Sequence, residues 1–311
     1  MVPLLRIGTR GSPLALAQAR EVRDRLAAAH PELASADAIA IVPIKTTGDR
    51  IQDRTLAEAG GKGLFTKEIE DALIAGAVDL AVHSMKDMPT WLPDGLEMAC
   101  YLPREDPRDA FFARGPATGL SDLPAGAVVG TASLRRQAQV LLRRPDVRVV
   151  PIRGNVDTRI RKLNEGEVDA TLLALAGLKR LGLADRATCV LSTDEMLPAV
   201  AQGCIGIEIR TGDDATRRYL APLDCPATRS RVTAERALLA VLDGSCRTPI
   251  AALAEIGAAG TLSLRGLVAD PAGTRVVHVG TDGPVADAER LGRDAGAELK
   301  AKLPPDFFAS G

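Results

Sequence analysis

Two short patterns occur twice in this chain, and the repetition restricts the fold to a few architectures. Residues 8–12 resemble residues 130–133, and residues 76–82 resemble residues 166–172. The copies lie where β-type apolar runs meet turns and helix starts, and strands that alternate with helices are typical of α/β proteins. The sequence therefore predicts an α/β fold with two similar lobes.

Two lobes of this kind resemble the hinged periplasmic solute-binding fold. A cleft between the lobes is the expected ligand site.

Local signals place the elements of both lobes. Serine and asparagine are favoured at helix N-termini, and Ser12, Ser133 and Asn155 each precede a helical stretch. Pro13 suits the first position of the first helix. Helices are predicted over 13–29 and 66–75, and apolar runs predict strands at 4–9, 39–44, 128–131, 147–152 and 168–175 and a strand that ends at His83.

The C-terminal part has a different pattern. Two helices are predicted over 227–242 and 285–302, and between them lie alternating segments at 252–256, 262–269 and 274–279, separated by glycine-rich turns. This pattern predicts a small α+β domain with a three-stranded antiparallel sheet. Because 311 residues exceed the ~250–300 of a typical single core, we expect three domains, over 1–102 with 204–221, 103–203 and 222–311.

Composition disfavours several classes of protein. A net charge of -1 and an aromatic content of 3% argue against nucleic-acid binding, which needs basic surfaces and stacking platforms. No apolar run reaches the ~20 residues that cross a bilayer, and the N-terminus lacks the pattern of a signal peptide. Five dispersed cysteines and three histidines show no metal-ligand spacing. We therefore expect a cytoplasmic monomer that binds no nucleic acid, membrane or metal.

Basic residues concentrate in the second lobe. Between residues 128 and 182 the chain has eleven basic and five acidic residues, although its overall net charge is -1. Arg135, Arg136 and Arg153 lie beside helix starts, where backbone N–H groups favour anions and guanidinium groups grip carboxylates bidentately. The later arginines, such as Arg144, are expected on a solvated basic face. Small polycarboxylates fit this arrangement best.

Residues 60–63 resemble a phosphate-binding loop only superficially. Lys62 is followed by glycine and not by the serine or threonine of a nucleotide-binding loop. A nucleoside triphosphate is therefore disfavoured. The polar loop over 45–63 is expected to be mobile, so that Lys62 can reach over a ligand.

The run over residues 78–89 ends an apolar strand in polar residues and a proline. Ligands of α/β proteins collect beyond the carboxyl ends of strands, and Lys86 next to Asp87 at such an end is a plausible site of proton transfer. A solvated turn is the alternative. His83 lies at the same strand end, where a structural hydrogen bond is as consistent with the sequence as a catalytic role.

Cys246 lies in a turn of glycine, serine and proline after a predicted helix. Its neighbour Arg247 favours the thiolate, and the turn lacks apolar flanks, so this thiol is expected to be accessible and reactive. Cys225, before a proline in a predicted linker, is a weaker rival. The remaining cysteines are expected to be small buried apolar residues, namely Cys100, Cys189 and Cys204.

Several motifs together resemble one known family. They occur in order along nearly the whole chain, at residues 6–15, 60–65, 81–87, 104–110, 133–136, 153–155, 158–159, 176–182 and 232–236 and in the Cys246 turn. This set is similar to the porphobilinogen deaminase family, also called the hydroxymethylbilane synthases. The resemblance implies a transferase of tetrapyrrole biosynthesis that condenses four porphobilinogen molecules head to tail, with loss of ammonia, into hydroxymethylbilane.

The resemblance also implies a cofactor and a set of site residues. Cys246 would hold a covalent dipyrromethane cofactor through a thioether, and Asp87 would be the catalytic residue. The residues implied in cofactor binding are Cys246, Lys86, Asp87, Thr131, Ser133, Arg135, Arg136, Arg153 and Gly154. Those implied in binding the substrate or the growing chain are Arg10, Ser12, Lys62, Arg153, Arg159 and Arg180.

Four positions depart from the family pattern, namely Ala132, Ser245, Arg247 and Thr248. None of them removes a reacting group, although each could alter cofactor contacts. The lobe repeats alone leave two other functions open. One is a non-catalytic carboxylate-binding protein with a reversible ligand and no covalent adduct. The other is a regulatory protein of the same fold, for which no basic helix-turn-helix segment is apparent.

Overall fold

The computed structural model describes residues 3–50, 65–242, 248–304 and 307 of the chain. The chain divides into two compact units. Unit 1 comprises residues 1–105 and 204–229, and unit 2 comprises residues 106–203 and 230–311. Each unit is therefore built from two separate segments of the sequence. The three predicted domain boundaries stay predictions.

Unit 1 contains a mixed five-stranded sheet. Its strands are β1 (Leu5–Arg10), β2 (Ile39–Ile44), β3 (Leu80–Ser84), β4 (Leu96–Tyr101) and β10 (Ile205–Arg210), in the order β2-β1-β3-β10-β4. Strand β1 pairs in parallel with β2 and β3, whereas β10 runs antiparallel to both of its neighbours, β3 and β4. The helices are α1 (Pro13–Ala29), α2 (Thr47–Arg50), α3 (Lys67–Ile74) and α7 (Asp214–Leu220).

Two apolar clusters hold the helices of unit 1 to its sheet. Val22 and Leu26 of α1 belong to a buried cluster with alternate residues of the strands, such as Ile7. Ile69 and Leu73 of α3 belong to a second cluster that takes the intervening residues. Because successive side chains of a strand point to opposite faces, this division places α1 and α3 on opposite faces of the sheet.

Unit 2 contains a second five-stranded sheet of the same design. Its strands are β5 (Asp109–Ala113), β6 (Val128–Gly130), β7 (Arg148–Val150), β8 (Ala170–Ala174) and β9 (Cys189–Val190), in the order β7-β6-β8-β5-β9. Strand β6 pairs in parallel with β7 and β8, and β5 is antiparallel to β8 and β9. The helices of this part are α4 (Leu134–Arg143), α5 (Val156–Asn164) and α6 (Leu175–Arg180).

A third sheet contains the last three strands, β11 (Ile250–Ile256), β12 (Thr261–Ala269) and β13 (Val276–Pro284). All its pairings are antiparallel, which confirms the predicted C-terminal sheet. Helix α8 (Pro226–Val241) precedes it, and α9 (Ala288–Lys302) follows it and packs on β12 and β13. Leu253 and Leu267 of this sheet share a buried cluster with Ala138 of α4.

The sequence repeat has a common physical basis in the two units. Asp79 accepts a hydrogen bond from the backbone N–H of Arg6 at 2.8 Å, and Asp169 accepts one from the backbone N–H of Val128 at 2.8 Å. Each aspartate thus joins the start of its strand to the neighbouring parallel strand. Gly76 and Gly166 precede them with φ of +67° and +82°, a conformation that favours glycine. The structure confirms an α/β fold with two similar sheets.

Most elements that depend on local signals lie where they were predicted. Helix α1 and strand β2 have the predicted bounds, and Ser12, Ser133 and Asn155 each cap a helix through a side-chain oxygen. The loop predicted over 45–63 is wrong at its start, because Thr47–Arg50 form a short helix. The remainder of that loop, residues 51–63, lies outside the described residues.

Candidate active site

Asp87 lies in a short 3-10 turn, Met85–Asp87, directly after β3. Buried side chains hold the turn on both sides, since Met85 is 1% exposed and Met88 is 5% exposed. The backbone N–H of Met85 also donates to the carbonyl of Cys204 at 3.0 Å. Asp87 itself is exposed, and Lys86 is half-buried. The sequence thus folds so that buried methionines anchor a turn from which the carboxylate reaches solvent.

Asp87 lines a pocket of about 50 Å³ in unit 1. The carboxyl ends of β1 and β3, which are parallel neighbours, meet at this pocket, as expected for ligand sites of α/β sheets. The predicted residues Arg10 and Ser12 therefore lie beside Asp87. The polar side chains of the lining are Arg10, Ser12, Gln18, Thr66, His83, Ser84 and Asp87.

The pocket combines positive and negative groups. The guanidinium carbon of Arg10 lies 4.1 Å from the centroid of the Phe65 ring, so the aromatic face supports the cation. Ser12 caps α1 by accepting a hydrogen bond from the backbone N–H of Ala15 at 3.3 Å. A cation beside a helix N-terminus attracts carboxylates, whereas Asp87 attracts an ammonium group or a developing cation. The arrangement can therefore orient a ligand that carries both charges.

Sequence reasoning missed two polar pairs next to this pocket. Gln18 donates to the hydroxyl of Ser84 at 2.7 Å. His83 Nε2 lies 3.0 Å from Glu208 Oε2, and both side chains are buried. The sequence left the role of His83 open, and the structure places it in a buried hydrogen bond with Glu208 that also borders the pocket. Glu208 was detectable as a lone acid inside the apolar strand β10.

The predicted cofactor residues Thr131 and Ser133 follow β6 in unit 2. Thr131 Oγ1 accepts from the backbone N–H of Ser133 at 3.2 Å, and Ser133 Oγ accepts from that of Arg136 at 3.4 Å. These bonds fix the start of α4. Ala132, a departure from the family pattern, lies between the two residues and leaves the Ser133 cap intact.

Arg135 and Arg136 are buried and share one carboxylate. Asp109, which sequence reasoning missed, accepts from Arg135 Nη2 at 2.8 Å and from Arg136 Nη2 at 2.7 Å. Burial alone would raise the pKa of Asp109, but the two guanidinium charges outweigh it and hold that pKa far below its usual range. Gln202 also donates to Asp109, at 2.9 Å. An acid that opens the apolar strand β5 was the available signal.

The arginine pair can bind a further anionic group. Two buried guanidinium groups face one carboxylate, so one of their two positive charges is not neutralised by Asp109. Their Nη1 atoms donate to the carbonyls of Leu197 and Leu172, at 2.8 and 2.9 Å. The Nε atoms of both arginines are buried and have no hydrogen-bond partner among the residues that the structure describes. Buried donors of this kind normally have partners, so the pair fits an additional anionic group such as a cofactor carboxylate.

Three further predicted residues lie after β7, the strand next to β6. Gly154 has φ of +118°, and a Cβ there would lie 2.5 Å from Cγ2 of Thr158, so only glycine fits. Its carbonyl accepts from Arg159 Nε at 3.0 Å. Arg153 is half-buried beside it. Because β6 and β7 are parallel neighbours, these residues lie at the same sheet edge as Thr131 and Ser133.

Other arginines have structural contacts. Arg180, at the end of α6, donates to the carbonyl of Gly203 at 3.2 Å. Arg144 was expected on a solvated face, and this prediction is wrong. Its guanidinium group donates to the carbonyls of Leu120, Ser121 and Leu123 and pairs with Asp146. It ties a loop to the end of α4.

The predicted Cys246 and Lys62 lie outside the described residues, as do Ser245 and Arg247. Cys100 and Cys204 are buried as predicted, and burial raises the pKa of Cys100 to about 12. Cys189 is half-buried, so its predicted burial is wrong, because it lies on β9 at the edge of the sheet. The rival Cys225 is also half-buried. The described residues contain no group of histidines, cysteines and acids that could hold a metal ion, and no helix among them could span a membrane.

Comparison with known proteins identifies the family. Residues 5–218 match the family model "Porphobilinogen deaminase, dipyromethane cofactor binding domain", and residues 230–301 match "Porphobilinogen deaminase, C-terminal domain". A chloroplastic porphobilinogen deaminase of Oryza sativa is 60% identical over 99% of this chain and 87% of the relative. The porphobilinogen deaminase of Paracoccus denitrificans is 58% identical over 98% of this chain and 96% of the relative.

Similarity to solved structures is weaker. A putative methionine-binding lipoprotein of Bacillus subtilis has a TM-score of 0.43 and 13% identity, over 70% of this chain and 89% of that one. The periplasmic aliphatic sulphonate binding protein of Escherichia coli has a TM-score of 0.39 and 16% identity, over 76% and 69%. The two family models and the close relatives are decisive, and the chain belongs to the porphobilinogen deaminase family.

Proposed function

We propose that this chain is a hydroxymethylbilane synthase. It condenses four porphobilinogen molecules head to tail, with loss of ammonia, on a dipyrromethane primer held by Cys246. The family match covers both the cofactor-binding domain and the C-terminal domain. The observation in the structure that carries the proposal is that Asp87, Arg10 and Ser12 line one pocket, because porphobilinogen carries both an amine and carboxylates.

Asp87 is the group that stabilises the reacting cation. When the protonated amine of porphobilinogen leaves as ammonia, the C–N electron pair departs with nitrogen and the remaining fragment is positively charged. A fixed carboxylate stabilises this charge as it develops. The next ring carbon then forms the C–C bond, and its proton passes to a carboxylate oxygen of Asp87. The turn between Met85 and Met88 keeps that oxygen in place.

Cationic groups on two strand edges bind the carboxylates. In unit 1, Arg10 and the Ser12-capped helix hold a carboxylate of the incoming substrate, and Lys62 joins them. In unit 2, Arg153, Arg159 and Arg180 hold the substrate or the growing chain. Guanidinium groups suit this task because they bind planar carboxylates bidentately.

The dipyrromethane group supplies, when bound, the ring carbon to which the first substrate is added. The residues that would hold it are Cys246, by a thioether, and Lys86, Asp87, Thr131, Ser133, Arg135, Arg136, Arg153 and Gly154. The unpartnered Nε atoms of Arg135 and Arg136 support this assignment. Gly154 contributes its backbone, since its position excludes a side chain.

The protein acts, in this proposal, as a cytoplasmic monomer on a small polycarboxylate, without nucleic acid or membrane. The even balance of charge over the chain, with a net charge of -1, supports the absence of a polyanionic partner. Two of the relatives are named as chloroplastic proteins of plants, so the compartment differs among members of the family.

Product stoichiometry and protein mass test this function together. The purified protein should consume four porphobilinogens and release four ammonia molecules for each hydroxymethylbilane. Its intact mass should include two linked pyrrole units. Cys246→Ser should lack this extra mass, whereas Cys225→Ser should keep it. Reversible binding of porphobilinogen without ammonia release, on an unmodified protein, would instead support the non-catalytic carboxylate-binding alternative.

A further inference from the structure

Three buried titratable side chains interact electrostatically, and one of them borders the Asp87 pocket. Glu70 of α3, His83 of β3 and Glu208 of β10 are 5%, 6% and 0% exposed. Strands β3 and β10 pair in the sheet, and α3 packs against both. We refer to Glu70, His83 and Glu208 as the buried triad. None of them has a role in the function proposed above, yet His83 lines the pocket that contains Asp87.

The hydrogen bond between His83 and Glu208 leaves the other ring nitrogen of His83 able to accept a proton. Its Nε2 lies 3.0 Å from Glu208 Oε2, and an ionised carboxylate there makes Nε2 the protonated nitrogen of the neutral ring. The other nitrogen, Nδ1, then carries a lone pair. Nδ1 has no hydrogen-bond partner within the part of the chain that the structure describes. A carboxylate that orients a histidine in this way is typical of general bases.

The triad places two buried carboxyl groups beside one imidazole. Burial raises the pKa of Glu70, and the nearby Glu208 raises it further. Among the described residues, the buried oxygens Glu70 Oε1 and Glu208 Oε1 have no hydrogen-bond partner. Because burying carboxyl groups without a full set of hydrogen bonds is unfavourable, a proton held within the triad offsets part of this cost.

The pocket provides a route from Asp87 to His83. Its volume of about 50 Å³ has room for a few water molecules, since each needs ~10–15 Å³. Hydroxyl and amide groups of Ser12, Gln18 and Ser84 line it and can hold such waters. The charged groups that face the triad are Arg10 and Asp87 across the pocket and Asp71 on α3.

We propose that His83, oriented by Glu208, is a proton relay for Asp87 and acts through water in this pocket. This inference rests on the function proposed above. After each C–C bond forms, the ring proton passes from Asp87 through water to Nδ1 of His83. When the next amine leaves, the same proton returns and departs with ammonia. The triad therefore gains and loses one proton in each condensation, and Asp87 is restored as a carboxylate before the next cation develops.

Two substitutions remove the relay and leave Asp87 in place. His83→Gln keeps an amide donor for Glu208 but cannot carry a proton, and Glu208→Gln removes the charge that supports the protonated ring. Both should lower kcat by roughly 100-fold, at the lower end of general acid–base effects, with KM for porphobilinogen within about three-fold, because neither residue belongs to the carboxylate-binding set. Glu97→Gln is the matched control, since Glu97 lies on the adjacent strand β4 and pairs with Arg217.

The dependence of kcat on pH distinguishes a relay from a structural role. Measured over about pH 5 to 9, the acidic limb caused by protonation of the triad should be lost in His83→Gln and kept in Glu97→Gln. Combining His83→Gln with Asp87→Asn should cause little further loss than Asp87→Asn alone, because both act on one proton path. A His83→Gln variant that melts at a lower temperature but keeps the wild-type kcat and pH profile would overturn the relay. The relay would also be overturned if the loss of kcat in the double variant equalled the product of the losses in the two single variants.

The same measurements separate this inference from the proposed function. All variants are compared at equal cofactor content, established by intact mass. If the wild-type protein makes no hydroxymethylbilane, the proposed function fails. If the wild-type protein makes it and His83→Gln and Glu208→Gln behave as wild type, only the relay fails.

Discussion

Asp87 and Asp109 are chemically identical side chains in different surroundings. Asp87 is exposed in a polar pocket, whereas Asp109 is fully buried between the guanidinium groups of Arg135 and Arg136. The first can bind a cation that arrives with the substrate. The second already neutralises a cation of the protein, so its negative charge stabilises the fold of unit 2. The role of a carboxylate therefore depends on the groups that surround it in the fold more than on its position in the sequence.

Substitution of Asp87 tests its catalytic role directly. Asp87→Asn keeps the shape of the side chain but removes its charge, so ammonia release should slow by at least ~100-fold. The measurement is single-turnover ammonia release by cofactor-loaded protein at saturating porphobilinogen. Asp94→Asn is the control, because Asp94 is exposed in the following loop. Near-normal release by Asp87→Asn would exclude Asp87 as the principal catalytic group.

Glu70 predicts a pH-dependent change in stability. Its pKa in the folded protein is raised by burial, so the folded protein holds this proton at a pH where the unfolded chain has released it. Stability is therefore lost as pH rises above the unfolded value of ~4.3. Glu70→Gln has no carboxyl group to ionise and does not lose this stability. The difference between its melting temperature and that of the wild-type protein should therefore shift in favour of the variant between about pH 4 and 7. Exposed Glu32→Gln should show no such trend, and a constant difference for Glu70→Gln would refute the assignment.

At the scale of elements, the sequence was sufficient to predict those helix starts that depend on neighbouring residues. The caps Ser12, Ser133 and Asn155 bond to backbone groups three residues away, so the signal and its partner lie in one short stretch. Strands β5 and β10 were missed because they pair antiparallel with strands far away in sequence. Asp109 and Glu208 were missed with them. Their partners, Arg135 and His83, are distant in sequence, and no local pattern indicates such contacts.

Asp109 connects the start of β5 to α4 through its ion pairs with Arg135 and Arg136. Its substitution should therefore destabilise the protein. Asp109→Asn leaves two buried guanidinium groups of α4 without a counter-charge at the start of β5. Removing one partner of a buried ion pair costs about 3–5 kcal/mol, so the free energy of unfolding measured in urea should fall by that amount. Asp146→Asn, which removes the exposed partner of Arg144, should have a small effect. Equal losses in the two variants would mean that Asp109 contributes no more than a surface charge.

At the scale of the whole molecule, two sheets of one design carry different chemistry. Both place a serine-capped helix after their first parallel strand, with Ser12 in unit 1 and Ser133 in unit 2. Unit 1 adds the Asp87 pocket, and unit 2 adds the excess of arginine between residues 128 and 182. The repeated backbone could be predicted from the sequence, because glycines and capping residues recur. The difference between the acidic pocket residue of unit 1 and the arginines of unit 2 is a property of the side chains on that backbone.

The cofactor should contribute to the stability of the molecule as well as to its reaction. If its carboxylates neutralise the arginines of unit 2, the protein without the adduct retains uncompensated positive charge. Groups that interact only with the folded state stabilise it. Cys246→Ser should therefore melt at least ~2 °C below the wild-type protein, and added salt should narrow the difference because salt screens repulsion between the arginines. Cys225→Ser, which keeps the adduct, should respond to salt as wild type does. Identical melting and salt response in Cys246→Ser and wild type would show that the arginines do not hold the cofactor carboxylates.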